Sequence, residues 1–307
     1  MVKNLLKGKK GIILGALDSN SIAWKVAEKA HEQGAEFVLS NAPIALRKGD
    51  IFELGKQTNS EVLSADLTQV DEIEHLFQES RAVLGGNIDF LLHSVGMSPN
   101  VRKGLSYTDL DYNYLNKTLD VSAISFHKLL QVAYKMDAIN EWGSVLALSY
   151  IAAQRTFSTY SDMAQAKAML ESICRSFGYH YGIKKKVRIN TISQSPTITT
   201  AGTGVGGFKS FYAYAQCMSP LGNATSEDCA NYCIMMFSDL TRRVTMQNLF
   251  HDGGYSTMGI SEKLIQSCFT CQGECFDDIV EKERIMGEKK SKKPDRQQRV
   301  ANSNQPS

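Results

Sequence analysis

Two tyrosines and a lysine near the middle of the chain have the types and spacing of groups that act on a polar substrate. Tyr160 precedes Lys167 by seven residues, and Met163 precedes it by four. Tyr150 lies further upstream. A tyrosine hydroxyl can donate a hydrogen bond to an oxygen on which negative charge develops, and an ammonium group adds positive potential. Since positions three and seven residues apart return to nearly the same helix face, the spacing predicts that Tyr160, Met163 and Lys167 line one helical stripe.

Apolar runs and amphipathic segments alternate along the chain around these residues. Short apolar runs predict buried strands at 11–15, 36–40, 60–66, 88–94, 143–150, 187–193 and 248–251. Apolar residues at helical spacing predict helices at 21–34, 70–84, 119–136, 160–179 and 226–238. This alternation predicts an α/β fold, a Rossmann-type doubly wound parallel sheet with right-handed crossovers and helices on both faces.

A glycine turn follows the first predicted strand. Gly15 ends the apolar run, and Ser21 and Ile22 open the next predicted helix. In a dinucleotide-binding fold, a glycine here lets the backbone approach a pyrophosphate, and the helix N-terminus supplies amide donors. The usual G-x-G-x-x-G is absent, because only Gly11 and Gly15 are glycines. A tight turn of this kind also occurs in proteins that bind no nucleotide.

The motifs resemble those of the enoyl-acyl-carrier-protein reductases of bacterial fatty-acid synthesis, in the short-chain dehydrogenase/reductase superfamily. The specific part is the paired tyrosines with the Tyr-x6-Lys spacing. Gly15 with Ser21-Ile22-Ala23, and Asp252-Gly253-Gly254, also fit. Other short-chain dehydrogenases place a tyrosine four residues before the lysine and a serine thirteen residues earlier. Those positions hold Met163 and Tyr150 here. The resemblance runs from about residue 5 to 258.

The resemblance implies hydride transfer from NADH or NADPH to the β-carbon of a trans-2-enoyl thioester carried by acyl carrier protein. Tyr160 would then stabilise the enolate oxygen, Tyr150 would face the substrate as a second phenol, and Lys167 would hold the nicotinamide ribose. The residues implied to contact the substrate are Met97, Ser98, Tyr150, Tyr160, Met163 and Phe208. Glycines at 202, 204, 206 and 207 predict a lid over the site.

The resemblance also implies a set of cofactor-binding residues. They are Gly15, Ser21, Ile22, Asp66, Leu67, Ser94, Val95, Gly96, Lys167, Pro196, Thr197 and Thr199. Members of the family carry Ser-Ala-Gly-Pro-Ile after the sixth strand, and Gln194, Ser195 and Thr197 depart from it. The second strand ends without a carboxylate for a ribose 2′-hydroxyl, and Arg47 and Lys48 could receive a 2′-phosphate. NADPH is therefore an alternative to NADH, which the family favours.

Composition excludes several other classes of protein. The 307 residues are 43% hydrophobic with a formal charge of +2. The stretch 281–300 has eight Lys/Arg and four Asp/Glu, so the remainder is −2, which argues against a nucleic-acid-binding body. No apolar run reaches the roughly 18 residues of a membrane helix, and the N-terminus lacks the apolar region of a signal peptide. An odd number of cysteines, seven, suits a reducing compartment, so a cytoplasmic protein is expected. The resemblance to the reductases implies a homotetramer.

The last 48 residues differ in character from the rest. We predict a reductase domain over 1–259 and an extension over 260–307, partly helical and then basic and disordered. Cys268, Cys271 and Cys275 supply three thiols without a fourth ligand, so packing is favoured over a metal site. Three alternatives stay open: a carbonyl or alcohol dehydrogenase, a non-catalytic NAD(P)-binding regulator, and a nucleic-acid binder acting through its tail.

Overall fold

A parallel β-sheet is the frame of the protein. The computed structural model describes residues 4–204 and 207–271. Within these ranges seven strands form one sheet in the order β3-β2-β1-β4-β5-β6-β7, with every neighbouring pair parallel. The strands are β1 (Lys10–Leu14), β2 (Glu36–Asn41), β3 (Val62–Ser64), β4 (Ile88–His93), β5 (Ile139–Ser149), β6 (Arg188–Gln194) and β7 (Asn248–His251).

Helices connect the strands and cover both faces of the sheet. The described helices are α1 (Ile22–Glu32), α2 (Pro43–Leu46), α3 (Ile51–Thr58), α4 (Val70–Leu84), α5 (Pro99–Arg102), α6 (Tyr112–Leu119), α7 (Ser125–Lys135), α8 (Met163–Lys185), α9 (Thr200–Thr203), α10 (Phe208–Met218), α11 (Ser226–Phe237) and α12 (Glu262–Cys271). The strand order reverses between β1 and β4, which defines the doubly wound topology. The predicted fold class is confirmed.

Alternation along the central strands divides the core between the two faces. Val145 and Leu146 are neighbours in β5 and both are fully buried. Val145 packs in the cluster that contains Phe126 of α7, whereas Leu146 packs in the one that contains Phe237 of α11. Successive side chains of a strand point to opposite faces, so a strand covered on both faces can be apolar at successive positions. This is why residues 12–14 of β1 and 145–148 of β5 appear as uninterrupted apolar runs in the sequence.

The helix predicted over 119–136 begins earlier and is not regular. It starts as α6 at Tyr112, where the Asp111 carboxylate accepts hydrogen bonds from the backbone N–H groups of Asn113 (2.8 Å) and Tyr114 (3.2 Å). A π-helical turn, Asp120–Ile124, then joins α6 to α7. The polar composition of α6 hid the early start, because periodicity detects only an apolar face.

The prediction that Tyr160, Met163 and Lys167 share one helix is wrong. Helix α8 begins at Met163, and Tyr160 lies in the turn before it. Ser161, between them, has a φ of +46°, in the left-handed region, which a continuous right-handed helix cannot contain. Met163 and Lys167 do share a helix face, and Tyr160 reaches the same region from the turn.

The chain divides into a unit of Met1–Met258 and a second unit of Gly259–Ser307. The sheet and its helices through α11 belong to the first unit. Of the helices in the described part of the chain, none has both the length and the apolar composition needed to cross a bilayer. The predicted basic tail at 289–299 and Cys275 lie outside the described residues, as do the side chains of Cys268 and Cys271.

Candidate active site

A cavity of about 380 Å³ lies at the carboxyl ends of the strands. Segments that follow five strands line it, among them Gly15 after β1, Asn41 at the end of β2, Ser94 after β4, Tyr150 after β5 and Gln194 at the end of β6. In doubly wound sheets ligands bind at this edge, where the strand order reverses. The volume is in the range of small-molecule sites.

Gly15 lets the ends of β1 and β4 approach each other at the floor of this cavity. Its φ is +94°, and a Cβ atom there would lie 2.1 Å from the carbonyl oxygen of Ser94. The Gly15 N–H donates to Ser40 O (3.0 Å), and the Ser94 N–H donates to Leu14 O (3.2 Å). Both the backbone conformation and the space therefore require glycine.

The turn between Gly15 and α1 fits a dinucleotide phosphate. The Ser21 hydroxyl accepts from Leu17 N (3.3 Å) and donates to Asp18 O (2.8 Å), which fixes the turn. Ser21 is the N-cap of α1, and both Ser21 and Ile22 line the cavity. The first amides of an eleven-residue helix thus lie at the cavity wall, where anions are stabilised.

Tyr150 and Tyr160 form the phenol pair of the cavity. Their ring centroids are 5.0 Å apart with an interplanar angle of 54°. Burial raises the pKa of both hydroxyls, and the neighbouring Tyr160, Tyr255 and Asp252 raise the pKa of Tyr150 further. Within the described residues the Tyr150 hydroxyl has no hydrogen-bond partner. Both phenols therefore stay protonated at neutral pH, and the Tyr150 hydroxyl is available as a donor.

Lys167 is half-buried beside the tyrosines. Its Nζ donates to the carbonyl oxygen of Leu148 (2.7 Å), next to the end of β5. A Cβ placed on Gly96 would lie 3.8 Å from this nitrogen, so the segment after β4 passes close to it. Burial lowers the pKa of Lys167 to about 8, against the opposing effect of Glu171. The lysine is cationic at neutral pH and close to losing its proton.

Glu171 connects the lysine helix to the end of β5. Its buried carboxylate accepts from Ser149 Oγ (2.7 Å) and from Gln154 Nε2 (2.9 Å). Glu171 is one helical turn after Lys167, so its negative charge favours the cationic lysine. The two hydrogen bonds hold that charge in place.

The segment that departs from the family pattern forms a hydrogen-bonded network of its own. His251 Nδ1 and Gln194 Oε1 are 2.7 Å apart, and Gln194 Nε2 donates to Thr197 Oγ1 (3.0 Å). The amide oxygen only accepts, so the proton lies on His251 Nδ1. Ser195 Oγ accepts from the N–H of Ala224 (2.8 Å). The polar replacements therefore satisfy one another and fix the cavity wall.

Fourteen of the predicted site residues line the cavity: Gly15, Ser21, Ile22, Ser94, Val95, Gly96, Tyr150, Tyr160, Met163, Lys167, Pro196, Thr197, Thr199 and Phe208. They come from five separate parts of the chain. The lid was predicted from glycines 202, 204, 206 and 207, of which Gly206 lies outside the described residues.

Four predicted residues do not line the cavity. Leu67 packs in the core, and the carboxylate of Asp66 accepts from the backbone N–H (2.9 Å) and hydroxyl (2.8 Å) of Thr68. Met97 exchanges backbone hydrogen bonds with the hydroxyl of Ser122, in the π-helical turn. Ser98 is buried, and its hydroxyl bonds within the protein. The resemblance implied these residues, but a local turn occupies the carboxylate of Asp66. Bonds to residues distant in the sequence occupy the polar groups of Met97 and Ser98.

Several cavity residues were not predicted. Arg102, at the end of α5, and Phe211, in α10, line the cavity. Asn41 and Ala45 also line it, at the place where the sequence offered no carboxylate. Only the position of Asn41 at the end of a predicted strand could have indicated it. Arg102 gives no signal in the sequence, because a surface arginine is ordinary.

The fold and the site together define a class of protein, the Rossmann-fold reductases of the short-chain dehydrogenase/reductase type. A glycine turn at the strand reversal, and a tyrosine and a lysine that line the cavity after β5, mark this class. Met163 occupies the position four residues before Lys167, and Tyr160 supplies the phenol from the preceding turn.

Comparisons with known proteins give the family. Residues 15–256 match the family model described as enoyl-(acyl carrier protein) reductase, and the chain belongs to this family. The NADH-dependent enoyl-[acyl-carrier-protein] reductase FabI of Rickettsia bellii is 33% identical over 86% of this chain and 100% of its own. The NADH-dependent enoyl-[acyl-carrier-protein] reductase 2 of Rhizobium meliloti is 33% identical over 83% of this chain and 94% of its own.

Among solved structures, the FabI–NADH complex of Alistipes finegoldii is 63% identical, with a TM-score of 0.83. The match covers 84% of this chain and 91% of that one. The resemblance seen in the motifs is thereby confirmed.

Gly15→Ala tests the close approach at the cavity floor. We expect it to lower the free energy of unfolding by at least about 3 kcal/mol, because a Cβ clash adds to left-handed strain. Gly104→Ala is the matched control, since Gly104 has a φ of +67° but nothing within 4 Å of the added Cβ. It should cost about 1 kcal/mol from strain alone. Equal losses in urea denaturation would contradict the role of the Ser94 carbonyl.

Proposed function

We propose that this protein is an NADH-dependent enoyl-acyl-carrier-protein reductase that reduces the double bond of a trans-2-enoyl thioester in fatty-acid elongation. The observation that carries the proposal is the placement of two protonated phenols, one buried and one half-buried, and a half-buried lysine in one cavity with the glycine turn. Membership of the reductase family and the NADH-dependent relatives support the reaction and the cofactor.

The phenols suit the charge that the reaction creates. When bound, NADH would supply a hydride to the β-carbon, so negative charge would develop on the thioester oxygen as an enolate. A proton from solvent, taken up at the α-carbon, would complete the reduction. A buried phenol donates to that oxygen more strongly in the transition state than in the ground state. We assign this role to Tyr160 and a second, substrate-facing role to Tyr150. Met163 and Phe208 supply apolar wall for the acyl chain, since both line the cavity.

Lys167 suits the binding of the nicotinamide nucleotide. Its ammonium group has three protons, and the structure uses one of them on Leu148 O. The remaining two can hold the ribose hydroxyls of the nicotinamide nucleotide. The charge also adds positive potential where the enolate forms.

The end of β2 supports NADH rather than NADPH. The Asn41 amide donates to Ala16 O (2.9 Å) and accepts from Ala42 N (2.9 Å), which holds this wall of the cavity as a neutral surface. Arg47 and Lys48, the candidates for a 2′-phosphate, are exposed and do not line the cavity. A neutral wall offers a 2′-phosphate no cation to pair with.

The carbonyl dehydrogenase and the non-catalytic regulator are less well supported. A carbonyl dehydrogenase needs a phenol at the position of Met163 and a serine at that of Tyr150. A non-catalytic regulator was suggested by the unusual 194–197 segment. That segment, however, is fully hydrogen-bonded through Gln194 and Thr197, and its residues still line the cavity.

We further propose a homotetramer that receives its substrate from acyl carrier protein. Exposed apolar side chains on α8 support association: Tyr179 is 57% exposed and Ile183 is 71% exposed. A groove between α7 and α8, lined by Tyr134 and Phe177 among others, adds to this surface. The division into a reductase domain and an extension from residue 260, and a cytoplasmic location, stay predictions.

Absorbance at 340 nm tests the function directly. We expect oxidation of NADH that depends on a trans-2-enoyl thioester, with NADPH a poorer donor. No oxidation of either cofactor, together with tight binding of one, would contradict the proposal and favour the regulator. Oxidation with a 3-oxoacyl thioester in place of the enoyl thioester would favour the carbonyl dehydrogenase.

Substitutions separate the two catalytic roles. Tyr160→Phe should lower kcat by about 10²-fold, as expected for one oxyanion donor, with the NADH dissociation constant unchanged. Lys167→Met should weaken NADH binding at least tenfold. Stopped-flow turnover and NADH fluorescence titration measure the two effects. An equal loss of cofactor binding in both variants would contradict this division.

Glu171→Gln tests the electrostatic support of the lysine. Because Glu171 raises the pKa of Lys167, its removal lowers that pKa further below the ordinary value. Lysine is cationic only below its pKa, so activity should decline at a lower pH than in the wild type. The pH profile of kcat/KM measures this shift. Glu74→Gln removes an equal charge from the exposed face of α4 and should leave the profile in place. A profile unchanged in Glu171→Gln would contradict the effect.

A further inference from the structure

A buried carboxylate without a cationic partner lies next to the candidate catalytic tyrosine. Asp162 has no exposed surface and stands between Tyr160 and Met163, which both line the cavity. Among the described residues, no Lys, Arg or His nitrogen lies within 4.0 Å of its oxygens. Burial of a carboxylate is costly unless hydrogen bonds replace its hydration.

Three neutral donors replace that hydration. Ser98 Oγ donates to Asp162 Oδ1 (2.6 Å), and Asn100 Nδ2 donates to Oδ2 (2.7 Å). The hydroxyl of Thr118 lies 2.8 Å from Asp162 Oδ2 and 2.8 Å from Tyr114 O. This hydroxyl has one proton to donate to these two acceptors. Asp162 is also the N-cap of the 23-residue α8, where the helix dipole stabilises negative charge.

The three donors belong to different elements, and the Asp162 carboxylate joins these elements to one another. The Ser98 hydroxyl also accepts from Val101 N (3.0 Å), which caps α5 and places Arg102 at the cavity. The Asn100 side chain also bonds the backbone of Asp111, the N-cap of α6. One carboxylate thus fixes α5, α6 and the start of α8 relative to one another.

The backbone next to Asp162 explains why such an anchor is needed. Ser161 has a φ of +46°, its hydroxyl is buried, and that hydroxyl has no partner among the described residues. A left-handed serine costs of order 1 kcal/mol or more and persists only where its surroundings determine it. Tyr160 itself is held by a single local backbone bond, from its N–H to Phe157 O (3.2 Å).

We infer that Asp162 is a positioning residue: its carboxylate, held by Ser98, Asn100 and Thr118, fixes the turn that places the Tyr160 hydroxyl in the cavity. The inference rests on the proposed function for the role of Tyr160. The position of Asp162 within the turn and the pairing of both its oxygens carry it. The anchor also explains how a phenol outside α8 keeps a fixed place relative to Lys167.

A double-mutant cycle on kcat tests the inference in the full chain. Wild type, Tyr160→Phe, Asp162→Ala and the double variant are compared with NADH and a trans-2-enoyl thioester. We expect Asp162→Ala to lower kcat by about 10²-fold, as for a misplaced catalytic group, with NADH affinity changed less than threefold. In the Tyr160→Phe background the same change should have almost no further effect. An equal loss in both backgrounds would overturn the inference, because it would show an effect independent of the hydroxyl.

Two further variants guard against a purely structural explanation. Asp162→Asn keeps an acceptor oxygen and should recover part of the lost kcat; it replaces Asp162→Ala in the cycle if the latter does not fold. Ser144→Ala removes a buried hydrogen bond to Met236 O (2.8 Å) away from the cavity, and should lower the melting temperature but not kcat. A fall of kcat in Ser144→Ala as large as in Asp162→Ala would overturn the inference.

Hydrogen exchange separates this inference from the proposed function. Wild-type oxidation of NADH is measured first, and its absence would contradict the function alone. The amides of residues 157–164 should exchange faster in Asp162→Ala than in wild type, whatever the activity. Unchanged exchange there would overturn the positioning role.

Discussion

The close approach of β1 and β4 is the constraint on which the rest of the site depends. The order of strands reverses between them, so the chain segments leaving their carboxyl ends must separate to opposite sides of a crevice. At Gly15 the two backbones are too close for any side chain, with the Ser94 carbonyl 2.1 Å from where a Cβ would stand. This contact brings the turn before α1 and the segment 94–96 to one cavity. Tyr150 then enters that cavity from the end of β5, Tyr160 from the turn before α8 and Lys167 from α8 itself.

Burial gives the site its electrostatic character. It raises the pKa of both phenols and lowers the pKa of Lys167 to about 8. The phenols therefore remain donors, while the lysine is a cation whose charge is only weakly screened. His93, buried beneath the site, has its pKa lowered to about 3 by burial and by Lys167, so it is neutral. The positive charge of Lys167 and the negative charge of Glu171 therefore balance each other, and the neutral His93 adds no second cation.

Polar side chains in neutral pairings hold the walls of the cavity. Gln194 and Thr197 bond each other where the family carries apolar residues, and His251 completes the set. In the turn before α8, the neutral side chains of Ser98 and Asn100 likewise hold the carboxylate of Asp162. Hydrogen bonds of this kind are directional, so each wall has one arrangement in which its donors and acceptors are satisfied. The departures from the family pattern at 194–197 look like degeneration in the sequence. In the structure they form a different set of internal contacts.

The sequence by itself determined the parallel sheet, the glycine turn and the family. Apolar runs and helical spacing are local patterns, so the sequence alone is enough to detect them. The bounds predicted for helix 70–84 and strand 248–251 agree with the structure at both ends. The spacing of Tyr160 and Lys167 fixed the chemistry, but not its geometry. Only the tertiary structure decided that Tyr160 precedes α8, because that break depends on Asp162 bonding residues more than forty positions away. It also decided that Arg102 lines the cavity while Ser98 is internal. Long-range hydrogen bonds and burial set such roles, and neither leaves a periodic signal in the sequence.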